Sequence, residues 1–152
     1  MKKPTILVSA CLLGVCCRYD GESKPNEDVI KLREIFTLIP ICPEVDGELP
    51  TPRTPSERVG DRVLMRDGKD VTANYRLGAE LALDRARTFS CVAAVLKARS
   101  PSCGSGKIYD GSFSGNLTDR DGVAAEMLKN AGIPVYTEDE IVKLIRKCQV
   151  LT

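Results

Sequence analysis

The chain has 152 residues, with 22 Lys and Arg against 21 Asp and Glu. That length is one ordinary domain with room for a real core, and the near-balanced charge predicts no nucleic-acid polymer as a partner. There is no His and no Trp, which removes the commonest general base and zinc ligand, and seven cysteines in a chain this long do not read as a secreted disulfide framework.

Thr5 to Ala10 reads as a first strand, a short apolar run of the kind buried in a parallel sheet. Val8-Ser9-Ala10-Cys11 resembles a lipoprotein cleavage box, but the apolar stretch before Cys11 is shorter than the roughly 7–15 residues a signal needs. Residues 11–25 form a loop. Asn26 caps a helix with Val29, Ile30, Leu32, Ile35 and Phe36 at helical spacing. Leu38 to Cys42 is a second strand. Four prolines between 43 and 60 predict loop with at most a short helical turn. Asp67-Gly68 between Val63-Leu64-Met65 and Val71 predicts a hairpin over Arg62 to Thr72. A helix follows from Thr72 or Asn74 to about Arg87, then a third strand over Cys91 to Lys97.

Residues 98–119 read as a long Ser/Gly-rich loop, and loops of that length in compact domains are usually functional or disordered. Gly122 to Ala131 is a helix stopped by Gly132, Ile133 to Tyr136 a last strand, and Thr137-Glu138-Asp139-Glu140 a capping box for a helix to about Cys148. The alternation predicts a three-layer, Rossmann-like α/β domain with a mostly parallel sheet, helices on both faces and a small hairpin. No apolar run approaches the ~20 residues of a membrane span, so the expected location is the cytoplasm, with thiols reduced or metallated.

Cys11, Cys42 and Cys103 each end or follow a predicted strand. Ligands of open parallel sheets bind at the carboxyl ends of the strands, so the three thiols are expected to meet at one edge. Thiolates are soft ligands that favour zinc, copper(I) and iron–sulfur clusters, and no C-x-x-C pair points to a zinc ribbon or a thioredoxin motif. Cys17 is an auxiliary ligand or resolving thiol, Cys16 incidental, and Cys91 and Cys148 packing residues. Glu44, two residues beyond Cys42, is the acid–base candidate. Arg18 and Asp20 bind a polar ligand or each other. Gly104-Ser105-Gly106-Lys107 lacks the spacing of a phosphate loop. Three readings stand at this point: a metal-dependent enzyme; a cluster, zinc or persulfide carrier that traffics sulfur; and a small-molecule binder with structural cysteines.

Ser9-Ala10-Cys11-Leu12-Leu13-Gly14, Arg18-Tyr19-Asp20-Gly21, Cys42-Pro43-Glu44, Pro52-Arg53, Gly68-Lys69-Asp70-Val71-Thr72, Leu96-Lys97 and Ser100-Pro101-Ser102-Cys103-Gly104 together resemble the thiouracil desulfidase family. Ile108-Tyr109-Asp110-Gly111, Phe113-Ser114-Gly115 and Gly122-Val123 continue the match. The resemblance runs over nearly the whole chain and implies a single desulfidase-like domain over residues 1–152. It implies a [4Fe–4S] cluster held by Cys11, Cys42 and Cys103, with one iron left open as a Lewis acid. It also implies non-redox removal of sulfur from a thiouracil-like thiocarbonyl compound, sulfide being released. On that resemblance Glu44 activates water or shuttles a proton, Ser100 or Ser102 orients substrate or water, and Arg18, Asp20 and Lys97 contact the substrate.

Overall fold

The structure, a computed structural model, describes residues 3–150, with side chains over residues 3–148. Its centre is a four-stranded parallel sheet of β1 (Thr5–Ser9), β2 (Thr37–Ile41), β5 (Ala93–Leu96) and β8 (Val135–Thr137), in the order β2-β1-β5-β8. β1 pairs with β2 on one side, Thr5 opposite Thr37 to Ser9 opposite Ile41, and with β5 on the other, Ile6 opposite Ala93 to Val8 opposite Val95. Central parallel strands are covered on both faces and so are apolar throughout; Ile6, Leu7, Val8 and all four residues of β5 are buried. β2 lies at the edge and tolerates Pro40 there, since a proline has no N–H for a second neighbour.

Alternate residues face opposite layers. Ile6, Val8, Ala93 and Val95 pack with Val29, Leu32 and Phe36, from α1 (Glu27–Lys31) and the residues after it, and with Ile141 and Leu144 of α5 (Ile141–Val150). Leu7, Ile41, Ala94 and Leu96 pack with Ala82 and Ala86 of α3 (Thr72–Thr88) and with Ala125 and Leu128 of α4 (Val123–Asn130). The expected three layers are present. Between β1 and β5 the strand order reverses direction, and the crevice outside the strand ends at such a point is where open α/β sheets bind ligands.

Local signals set the helix ends. Asn26 Oδ1 accepts from Val29 N at 3.1 Å, although α1 closes after five residues and continues as a 3-10 turn over Leu32–Glu34 rather than one helix to Phe36. The Thr137–Glu140 capping box forms, with a 3-10 turn over Glu138–Glu140 ahead of α5. The third strand begins at Ala93 rather than Cys91, because Cys91 N bonds to Ala86 O in the turn that ends α3.

The hairpin differs from expectation. Its ladder joins β3 (Ser56–Val59) to β4 (Arg62–Met65) across Gly60-Asp61. Asp67-Gly68 does turn, with Gly68 N bonded to Met65 O and Met65 N to Lys69 O, but carries only an isolated bridge between Leu64 and Asp70. β3 has no alternating apolar signal because its one buried residue is Arg58, whose guanidinium donates to Gly60 O, Asp121 O and Glu126 Oε2. A second hairpin, β6 (Lys107–Tyr109) with β7 (Leu117–Asp119), lies inside the stretch read as loop.

Candidate active site

Cys11 sits in a 3-10 turn directly beyond β1, closed by Gly14 at φ 97°. Cys42 follows β2 as the N-cap of α2 (Pro43–Asp46), where Pro43 at the first helical position has the φ a helix needs. Cys103 lies seven residues beyond β5, in a loop drawn back to the sheet edge by α4. The N–H groups that open a helix lack internal partners, and here Val123 N bonds to Pro101 O while Ala124 N and Ala125 N bond to Ser102 O. Three adjacent strands thus deliver Cys11, Cys42 and Cys103 to one cavity of about 630 Å³, and Cys17 lines it too. Cys16 is exposed; Cys91 and Cys148 are half-buried against the two core layers.

Cys11, Cys17 and Cys103 are each under 10 % exposed, and burial is the chief cause that pushes the Cys11 thiol up to about 11 and the Cys103 thiol up to about 12. The neighbouring Cys42 raises Cys11 further. Cys42 as a thiol donates to Cys17 O at 3.7 Å. As a thiolate it accepts from the Cys17 thiol, which lowers Cys42 and raises Cys17.

Glu44 stands among these thiols on the first turn of α2, placed there by a helical turn and not by an extended segment. Its Oε1 accepts from Arg53 Nε at 3.0 Å. Its Oε2 accepts from Ser102 Oγ at 3.1 Å and, at 3.5 Å, from Ser100 Oγ. The two serines have different surroundings. Ser100 Oγ accepts from Ser102 N and Cys103 N, both at 3.1 Å, and so shapes the turn. Ser102 is 1 % exposed and its hydroxyl lies between Glu44 and Cys103 Sγ, 3.6 Å away. Tyr75 of α3 also borders Glu44, and burial pushes its hydroxyl well above the usual tyrosine range.

Lys97, at the end of β5, lines the cavity, with its Nζ 2.8 Å from Glu138 Oε2. Arg18 lines it as well. Asp20 is outside the lining; it pairs with Arg18 at 3.6 Å and accepts from Glu22 N. Arg53, Tyr75, Glu57 and Phe113 join the cavity without having been singled out as functional in the sequence. The segments of Arg53 and Phe113 were marked by the Pro52-Arg53 and Phe113-Ser114-Gly115 motifs of the resemblance, by the prolines around Arg53 and by the length of the loop around Phe113, with no role attached to either residue.

Among the described residues, no group of three Cys, Asp or Glu is placed to hold a single metal ion. Four thiols spread around one cavity fit a cluster better, because a cluster offers its irons to separate cysteines. A parallel α/β sheet with cysteines, a carboxylate and serines gathered at its switch point places the chain in the class of open-sheet α/β proteins with a thiol-lined pocket. More particularly, residues 6–140 match the model of the 2-thiouracil desulfurase family, and the chain belongs to that family. It is 40% identical over 146 residues to the Bacillus subtilis (strain 168) protein YbbK, described as uncharacterized, covering 90% of this chain and 97% of that one. Among solved structures it is similar to the [4Fe-4S]-dependent thiouracil desulfidase TudS, with a TM-score of 0.90 and 43% identity, covering 97% of this chain and 99% of that one.

Proposed function

We propose that this protein is a [4Fe–4S]-dependent desulfidase that replaces the sulfur of a thiolated nucleobase or similar small thiocarbonyl compound by the oxygen of water, releasing sulfide without net redox. The observation that carries the reading is the meeting of Cys11, Cys42 and Cys103 around one cavity with Glu44 and Ser102 between them. Those three cysteines are the proposed cluster ligands. When bound, the cluster supplies a Lewis-acidic iron that polarises the carbon–sulfur bond.

The chain's own groups handle water and protons. Glu44 Oε1 is held by Arg53 and Oε2 accepts from the cavity's serines, so Oε2 is the oxygen proposed to take the proton of an attacking water. Ser102, bonded to that oxygen, orients the water or substrate; Ser100 keeps the turn in shape. Arg18 and Lys97 present positive charge to a polar substrate edge. The balance is a thiocarbonyl and water going to a carbonyl and hydrogen sulfide. Reduced thiols in this number suit the cytoplasm, and among the described residues no helix is long and apolar enough to cross a membrane.

The test is anaerobic incubation of cluster-loaded protein with 2-thiouracil, measuring sulfide and uracil. Equal amounts of both are expected. Glu44→Gln is expected to keep its iron and slow the reaction by about 10²–10⁴-fold, the scale of lost general acid–base catalysis. A loaded wild-type protein that releases neither product overturns the reading. A sulfur carrier, for which the Cys17–Cys42 contact is the favourable observation, would release no uracil from 2-thiouracil and would instead take sulfane sulfur from an added low-molecular-weight persulfide by exchange, the donor leaving as its thiol.

A further inference from the structure

Four of the chain's seven aromatic residues line the cavity: Tyr19, Tyr75, Tyr109 and Phe113. Phe113 is the one among them whose backbone is held in an unusual state. It lies in the loop between β6 and β7 at φ 56°, the left-handed region that a bulky aromatic rarely enters. Such a conformation persists only where the surroundings over-determine it, and these sites cluster where function requires them.

Here the determinant is Glu57 of β3. Its Oε1 accepts from Gly111 N at 2.9 Å and from Phe113 N at 3.1 Å, which ties the second hairpin to the first. Gly111, at φ 95°, lies so close to β3 that a Cβ there would stand 2.9 Å from Val59 Cγ2. Asp110, Ser112 and Ser114 brace the loop with further hydrogen bonds. The Phe113 ring, half-buried, meets the Arg66 guanidinium at 5.6 Å from its centroid, and Glu57, Arg66 and Phe113 all line the cavity. A cation so placed is attracted to the face of the ring and favours this orientation.

We propose that Phe113, held in place by Glu57 and Arg66, is the face on which a planar heteroaromatic substrate stacks, and so selects ring thiocarbonyls over open-chain ones. The inference rests on the desulfidase reading and deepens it. Stacking on an aromatic side chain tolerates many rings because every base has a π-face, so Phe113 selects for planarity and ring size rather than for one base.

The chain has no Trp, so Phe113→Trp gives a single fluorescent reporter at the proposed face. Titration with uracil is expected to quench it saturably in both cluster-free and cluster-loaded protein. In the loaded enzyme, Phe113→Ala is expected to lower the preference for 2-thiouracil over thioacetamide about tenfold, near the worth of one base–aromatic stack. The change falls mainly in KM, and Phe113→Tyr restores it. Unchanged selectivity in Phe113→Ala, a loss that follows Tyr19→Ala instead, or fluorescence indifferent to uracil overturns the proposal. The two readings fail separately. Wild-type protein that releases no sulfide while uracil quenches the reporter removes the reaction and upholds the stacking face; sulfide release with unaltered Phe113→Ala selectivity does the reverse.

Discussion

Arg53 leaves 3 % of its side chain exposed and distributes its N–H donors over Glu44 Oε1, Cys17 O, Pro50 O and Thr51 Oγ1. A buried guanidinium with so many acceptors is pre-organised, and it orients the carboxylate it touches. Glu44 therefore has one oxygen bound by Arg53 and the other bound by the serines. Elsewhere a single carboxylate does a purely structural job. Asp70 Oδ1 accepts from Thr72 N at 2.9 Å and Thr72 Oγ1 at 2.6 Å, and Oδ2 meets Arg62 at 2.9 Å. The Thr72 hydroxyl first, then its N–H and Arg62, hold the Asp70 carboxyl down to about 2. A group whose folded pKa is depressed binds its proton more readily in the unfolded chain, so its stabilisation is present above the unfolded value and is lost as the pH falls through the folded one. Asp70→Asn is thus expected to melt below wild type at neutral pH, with the gap closing as the pH falls from about 4 toward 2. Thermal melts of both proteins across that range check this; a gap independent of pH would assign the loss to something other than the charge.

The element that carries Glu44 is one turn long and cannot stand alone. α2 is held against α3 by direct backbone approach: a Cβ added at Gly78 would lie 1.8 Å from Pro43 O and 2.6 Å from Pro43 C. Asn74 Nδ2 also donates to Gly47 O at 2.9 Å. An alanine for a glycine inside a helix ordinarily stabilises by up to ~1 kcal/mol. At Gly78 the sign reverses, because the obstacle is main chain that has no rotamer to change. Gly78→Ala is expected to destabilise by about 1–3 kcal/mol, the range of overpacked interiors, and to lower desulfuration beyond the loss of folded protein, since α2 moves with Glu44 on it. Denaturant unfolding together with activity per bound cluster separates the two effects. A stabilised, fully active Gly78→Ala would show that α2 and α3 are not in contact as described.

For the molecule as a whole, the parallel sheet is the device that makes a site out of cysteines 31 and 61 residues apart in sequence, by bringing three neighbouring strands to one edge. Replacing Cys11, Cys42 or Cys103 with Ser is expected to abolish iron retention, whereas Cys91→Ser and Cys148→Ser, altering half-buried packing positions away from the cavity, keep it. Iron and sulfide per chain after anaerobic reconstitution decide this, and an iron-free Cys17→Ser would place Cys17 among the ligands. The sequence determined the four strands of the central sheet, the caps at Asn26 and Thr137 and the strand-end cysteines, because burial and capping leave periodic and local marks on residue type. Cys42-Pro43-Glu44 was legible for the same reason: its chemistry lies within three adjacent residues. What only the tertiary structure decided was which distant groups share the cavity. Arg53 reaches Glu44 through a proline-rich loop, β3 hides its one buried residue as an arginine, and the backbone of Phe113 is held by Glu57, 56 residues earlier. Hydrogen bonds between residues that are not neighbours in the chain leave no period and no fixed spacing in it, and only the folding of the loops and of one hairpin on the other creates them.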